Sequence, residues 1–157
     1  MENNVIIRQI RYIFDFKDSK MIELFALVEH KVTIEQVHNW MKKEDQPSYK
    51  PMQDEELAHF LNGLIIFKRG KREGPPPQAE KSLNNNLILR KLKIALNFKD
   101  FDIIDTLSLV KLNISKHELS AFFRNPKQDQ YRICKDQFLR NFLFGLQKKY
   151  RPTKDKA

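Results

Sequence analysis

Cysteine occurs once, at Cys134, and glycine only four times in 157 residues. A lone cysteine excludes an intramolecular disulfide and the tetrahedral thiolate sites that zinc favours, and it suits a reducing cytoplasm. So few glycines leave little material for a phosphate cradle of backbone amides, and neither GxxxxGK[ST] nor GxGxxG is present. Long apolar runs are missing as well: none reaches roughly 18 residues. The opening stretch MENNVIIRQI carries Glu2 and Arg8, with Arg11 close behind, where a secretory leader would have a basic region and then an unbroken apolar one. Neither secretion nor membrane spanning is expected.

Patterns that carry catalysis are equally sparse. His30, His38, His59 and His117 form no HExxH or other close ligand pair, and His117-Glu118 lacks the second histidine, so all four read as ordinary surface histidines. Cys134 sits in the polar stretch YRICKDQ, which suits a partly buried helix-entry residue better than a nucleophile with an oriented base. DFKDSK and NFKDFDIID look superficially like acidic calcium loops but lack the turning glycine and the closing glutamate. No catalytic residue, metal ligand or cofactor site is expected, and the chain reads as a non-enzyme.

What is present is a text written twice. NNVIIRQIRYIFDFKD (3–18) returns as NNLILRKLKIALNFKD (85–100). A shift of 82 (85 minus 3) superposes 3–69 on 85–151 without a gap, and roughly 19 of about 67 positions are identical. Arg8 pairs with Arg90, Tyr49 with Tyr131, Asp54 with Asp136, and FLNGL (60–64) with FLFGL (142–146). Residues 1–70 and 85–151 are therefore two copies of one module. Between them, 71–84 reads as a linker whose prolines 75–77 favour an extended segment, and 152–157 is a polar tail.

The apolar spacing inside each copy is helical. Val5, Ile6, Ile10 and Ile13, echoed by Leu87, Ile88, Leu92 and Ala95, recur at three- and four-residue steps and define a first helix. A second starts near Asp18 or Asp100, with these aspartates read as its caps. Thr33-Ile34-Glu35-Gln36 and Ser115-Lys116-His117-Glu118 share the S/T-x-x-E/Q form of a capping box and open a third. A fourth starts near Asp54 and Asp136; Gly63 and Gly145 lie inside it, and close helix packing is the expected reason. The fold class is thus all-α: two tandem four-helix modules, about eight helices, expected to pack on each other about a pseudo-twofold axis because each copy alone buries little surface.

FLNGLIIFKRGKREGPPP, SLNNNLILRKLKIAL, ISKHELSAFFR and DQFLRNFLFGLQ together resemble the YehS-like family of bacterial proteins over nearly the whole chain. The resemblance implies a small, duplicated cytoplasmic protein and carries over no catalytic residue.

Charge separates the copies. Residues 1–70 hold 10 Lys+Arg and 11 Asp+Glu, 71–84 hold 3 and 2, and 85–157 hold 16 and 7. The second copy has Lys111 for Glu29, Lys116 for Ile34, Lys135 for Gln53 and Arg140 for Ala58. It has also gained aromatics: Phe101, Phe138 and Phe144 stand where the first copy has Ser19, Glu56 and Asn62. Aromatics added at polar positions commonly anchor protein partners, so a protein contact through Phe101, Phe138 and Phe144 is the leading expectation, with an inter-copy interface or extra core as the plainer one. The alternative is DNA or RNA binding, with Arg90, Lys93, Lys116, Arg124, Arg140 and Lys148 as candidate contacts. In that reading helices two and three of the second copy, joined by KLNIS, form a helix-turn-helix unit. Trp40 is expected in the core, Arg8 and Arg90 in matching salt bridges, and Tyr49 and Tyr131 as anchors of the connection before helix four. The sequence names no partner and no oligomeric state.

Overall fold

The computed structural model describes residues 1–151, so the polar tail lies outside the described residues. Eight α-helices and no strand occur among the described residues. The first unit, 1–83, contains α1 (Asn3–Phe14), α2 (Asp18–Ala26), α3 (Ile34–Met41) and α4 (Asp54–Arg69). The second begins at residue 84 and contains α5 (Asn85–Leu96), α6 (Asp100–Ser108), α7 (Lys116–Ser120) and α8 (Asp136–Tyr150). In each unit the second helix packs on the third and fourth, and the first helix on the fourth. No helix among the described residues is long and apolar enough to cross a membrane.

The helices begin and end where local chemistry sets them. Thr33 Oγ1 accepts from Gln36 N at 3.1 Å while Gln36 Oε1 accepts from Thr33 N at 2.8 Å. Ser115 and Glu118 make the same reciprocal pair at 3.1 and 3.2 Å. These exchanges satisfy amides that a helix start otherwise leaves unpaired. α1 and α5 both stop at a left-handed residue, Asp15 and Asn97, types whose short polar side chains tolerate that conformation.

The core of the first unit gathers Ile6, Ile10 and Ile13 of α1, Met21, Leu24 and Phe25 of α2, Val37 and Trp40 of α3, and Leu57, Phe60, Leu61 and Leu64 of α4. Trp40 is buried as expected, its ring 5.5 Å from Phe25. The second core is Ile88, Leu92, Ile103, Leu107, Leu119, Leu139, Phe142 and Leu146. Gly63 lies directly on the Leu24 carbonyl and Gly145 on the Thr106 carbonyl, so close packing is what both glycines serve.

The doubled asparagines are internal clips. Asn4 Nδ2 donates to the carbonyls of Trp40 (3.0 Å) and Lys50 (2.8 Å), and its Oδ1 accepts from Met52 N (2.8 Å). Asn86 repeats all three contacts on Phe122, Arg132 and Cys134. Each clip holds the end of the third helix and the chain entering the fourth. Asn3 Nδ2 reaches Asp54 Oδ1 at 2.7 Å, and Asn85 reaches Asp136 Oδ1 at 2.7 Å. The other oxygen of Asp54 accepts from Leu83 N at 2.9 Å, so the linker that leaves α4 at its far end returns to its start.

Two expected contacts take a different form. Arg8 donates to the Lys42 carbonyl (2.9 Å) and Arg90 to the Phe123 carbonyl (2.7 Å), capping the third helical segment with a guanidinium instead of forming salt bridges. Asp18 and Asp100 are the first residues of their helices and do not cap them. They pair with the preceding helix instead: Asp18 with Arg11 at 2.6 Å and Asp100 with Lys93 at 2.9 Å, positions equivalent under the repeat.

Candidate binding surface

In the second unit α8 has one buried side and one outer side. Leu139, Phe142, Leu143 and Leu146 turn inward. Residues four apart share a helix face, so Arg140, Phe144 and Lys148 line up along the other side. Phe144 is 45% exposed and Lys148 is exposed; the half-buried Arg140 donates to the neutral Gln137 amide at 3.1 Å. The result is an aromatic ring between two cations on an outward face. The matching residues of α4 are Ala58, Asn62 and Ile66, and the first two are buried.

The three added phenylalanines divide. Phe101, in the first turn of α6, is 59% exposed. Phe138 is half-buried with its ring 4.7 Å from Phe122, which makes it part of the packing between α8 and the end of the third helix. Ile133 and Leu109 add further exposed apolar surface to the same unit.

The candidate cations divide too. Arg90 is held by the Phe123 carbonyl, and Lys93 is held by Asp100 with its ammonium 4.4 Å from the centre of the Phe123 ring. Arg124 bonds Gln130 and, at 3.4 Å, Ser120 Oγ. Lys116 and Lys148 are exposed and Arg140 is half-buried; among the described residues none of the three makes a close ion pair, although the Arg140 charge helps hold the Asp136 carboxyl below its ordinary range. The six are thus not one stripe: half of them fasten the fold.

The helix-turn-helix reading meets a short third helix. α7 has five residues and tightens into a 3₁₀ turn at Ala121–Phe123. Ser120 Oγ donates back to the His117 carbonyl, and Pro126 follows soon after, which disfavours helix in the residue before it. Lys116 and His117 are exposed on it, whereas Arg124 falls beyond its end.

Cys134 is buried, and burial first, then the Asp136 carboxylate, push its thiol up to about 12. A thiol held protonated is unsuited to nucleophilic attack. Tyr49 anchors its loop as expected, its hydroxyl 3.3 Å from Glu2 Oε2. Among the described residues no three His, Cys, Asp or Glu side chains are grouped so as to hold a metal ion.

Three features went unread in the sequence. His38 is tied to Asp18 at 2.7 Å, and burial notwithstanding, this bond first and Arg11 next hold the Asp18 carboxyl below its ordinary range. His30 and His59, far apart in the chain, stack on each other. Lysines cover aromatic rings: Lys20 over Phe67 at 4.3 Å, Lys68 over Phe14 at 4.6 Å and Lys149 over Phe98 at 5.0 Å. Phe98, in the second FKD, is one of these rings, whereas its counterpart Phe16 stacks on Phe14 at 5.5 Å and meets Phe67 edge-on at 6.1 Å.

A family described as "Protein of unknown function (DUF1456)" matches the chain twice, over residues 3–70 and 85–151. The chain is 40% identical over 147 residues to "Uncharacterized protein YehS" of Escherichia coli (strain K12), covering 93% of this chain and 94% of that protein. No solved structure matches.

Proposed function

The chain belongs to the DUF1456 family of proteins of unknown function, whose domain it carries twice, and on that footing we propose that it is a non-catalytic binding protein whose second unit docks a partner protein. The observation that carries this reading is Phe144, exposed on the outer face of α8 between Arg140 and Lys148. An exposed aromatic anchor flanked by cations fits a partner that offers an apolar recess bordered by carboxylates. Phe101 enlarges the apolar contribution of the same unit. The single cysteine, free and buried, suits work in a reducing compartment, and we place the protein in the cytoplasm.

A second reading, DNA or RNA binding, is favoured by one observation: 85–157 carry 16 Lys+Arg against 7 Asp+Glu. An aromatic between cations also suits stacking on an unpaired base while the cations meet phosphates.

A photo-crosslinking phenylalanine analogue at position 144, irradiated in cells, tests both, with position 12 of the first unit, also exposed, as the reference. Adducts at 144 that resist nuclease and yield to protease support the protein contact. Nuclease-sensitive adducts transfer the surface to nucleic acid. Equal, weak labelling at both positions sinks both readings.

A further inference from the structure

His30, in the turn after α2, and His59, in α4, lie ring on ring, with centroids 4.1 Å apart and planes 13° from parallel. Phe25 of α2 closes on His30 from 5.9 Å. Both imidazoles are half-buried, and His59 Nδ1 is withdrawn from solvent with no hydrogen-bond partner. One proton on such a pair is tolerable, because a cation can lie against a neutral ring. Two protons would set like charges face to face where little water can intervene.

The groups acting on His59 are His30 from the turn and Glu55 and Glu56 from α4 itself, and the apolar Phe25 ring of α2 lies against His30. Burial first and His30 second hold the His59 pKa below its ordinary value of 6.5, against the weaker pull of the two carboxylates. A folded-state value below the unfolded one means that this stability is complete above 6.5 and is lost as pH falls toward the folded-state value.

The turn is constructed so that it can let go. Glu29 is left-handed, with φ 59°, and three amides hold the turn: Val28 N and His30 N on the Phe25 carbonyl, and Glu29 N on that of Ala26. We propose that the His30–His59 stack is an acid-sensitive latch, joining the α2–α3 turn to α4 while at most one ring is protonated and releasing it when both are.

The second unit supplies the reference inside the same chain. Its turn is built alike, with Lys111 at φ 60° and Leu112 N on the Leu107 carbonyl. Leu112 and Asn141 stand where the first unit has His30 and His59, so nothing there titrates in this range.

Hydrogen exchange of the full chain, corrected for intrinsic rate, would be compared at about pH 7 and about pH 5, on either side of the histidine range. The expected result is that amides 28–30 lose on the order of tenfold more protection on acidification than amides 110–112. His59→Phe, which keeps an aromatic plane, and His59→Asn, which installs the sister residue, should each remove that difference; whichever folds suffices. Equal loss in both turns of the wild-type chain, or a selective loss that survives in a folded variant, overturns the latch.

Discussion

Gly63 rests against the carbonyl oxygen of Leu24 so closely that a methyl group on residue 63 would occupy the same space, with the carbonyl carbon itself only 2.7 Å from that methyl position. The obstacle is backbone, which cannot swing aside as a side chain could. Gly63→Ala is therefore expected to separate α4 from α2 and cost on the order of 3 kcal/mol, despite the better helix propensity of alanine. Gly145→Ala should act alike, since Thr106 presents both its carbonyl and, at 2.8 Å, its Cγ2. Denaturant midpoints check both, and a neutral or stabilising alanine at either site would contradict this account of the helix contact.

The asparagine clips make a second prediction. Asn4→Ala strips partners from the carbonyls of Trp40 and Lys50 and from the amide of Met52 at once, with Asn4 itself buried. A loss of about 2 to 4 kcal/mol follows from leaving such groups unsatisfied. Asn4→Asp should do little better, because a carboxylate cannot donate to two carbonyls. Asn86→Ala is expected to match Asn4→Ala in urea titrations, its three bonds being the same.

Acid should weaken the Asp18 network. The folded-state carboxyl titrates below its ordinary 3.8, chiefly through the His38 bond, so the stability it contributes is present above 3.8 and lost as pH falls through the folded-state value. Asp18→Asn is expected to lower the unfolding midpoint at neutral pH and to flatten its fall below about pH 4. Midpoints measured across that range decide it: a variant whose acid limb parallels the wild type excludes a role for the pair.

Cys134 should ignore thiol reagents in the native state. Its buried sulfur and a thiol pushed up to about 12 leave almost no accessible thiolate at neutral pH. Ellman's reagent is expected to react fully only under denaturant, and prompt native labelling would contradict the burial.

Local chemistry was legible in the sequence, and meeting points between distant residues were not. Helix starts at Thr33 and Ser115 depend on partners three residues away, and the apolar steps of α1 and α4 mark the face they bury. Asn4 is different: its partners at Trp40, Lys50 and Met52 lie 36 to 48 residues further along, and no local pattern distinguishes a clip from a ligand contact. The same holds for Arg8, whose expected acid proved to be a carbonyl, and for His30 and His59, which meet only because α2 packs on α4. On the binding surface, the equivalence of Phe101, Phe138 and Phe144 in sequence concealed a difference in packing. Phe138 found Phe122, while the other two faced outward.

Asp54 gives the first unit an unusual closure: one carboxylate grips Asn3 near the start of the module with one oxygen and Leu83 at its end with the other. The module is thereby nearly a ring, its two ends held within a side chain's breadth of each other. A ring of this kind tolerates circular permutation, since the seam at 54 can be joined and the chain reopened in the exposed stretch 71–75. It also favours tandem duplication, because the linker has already carried the end of the first copy back beside its own start.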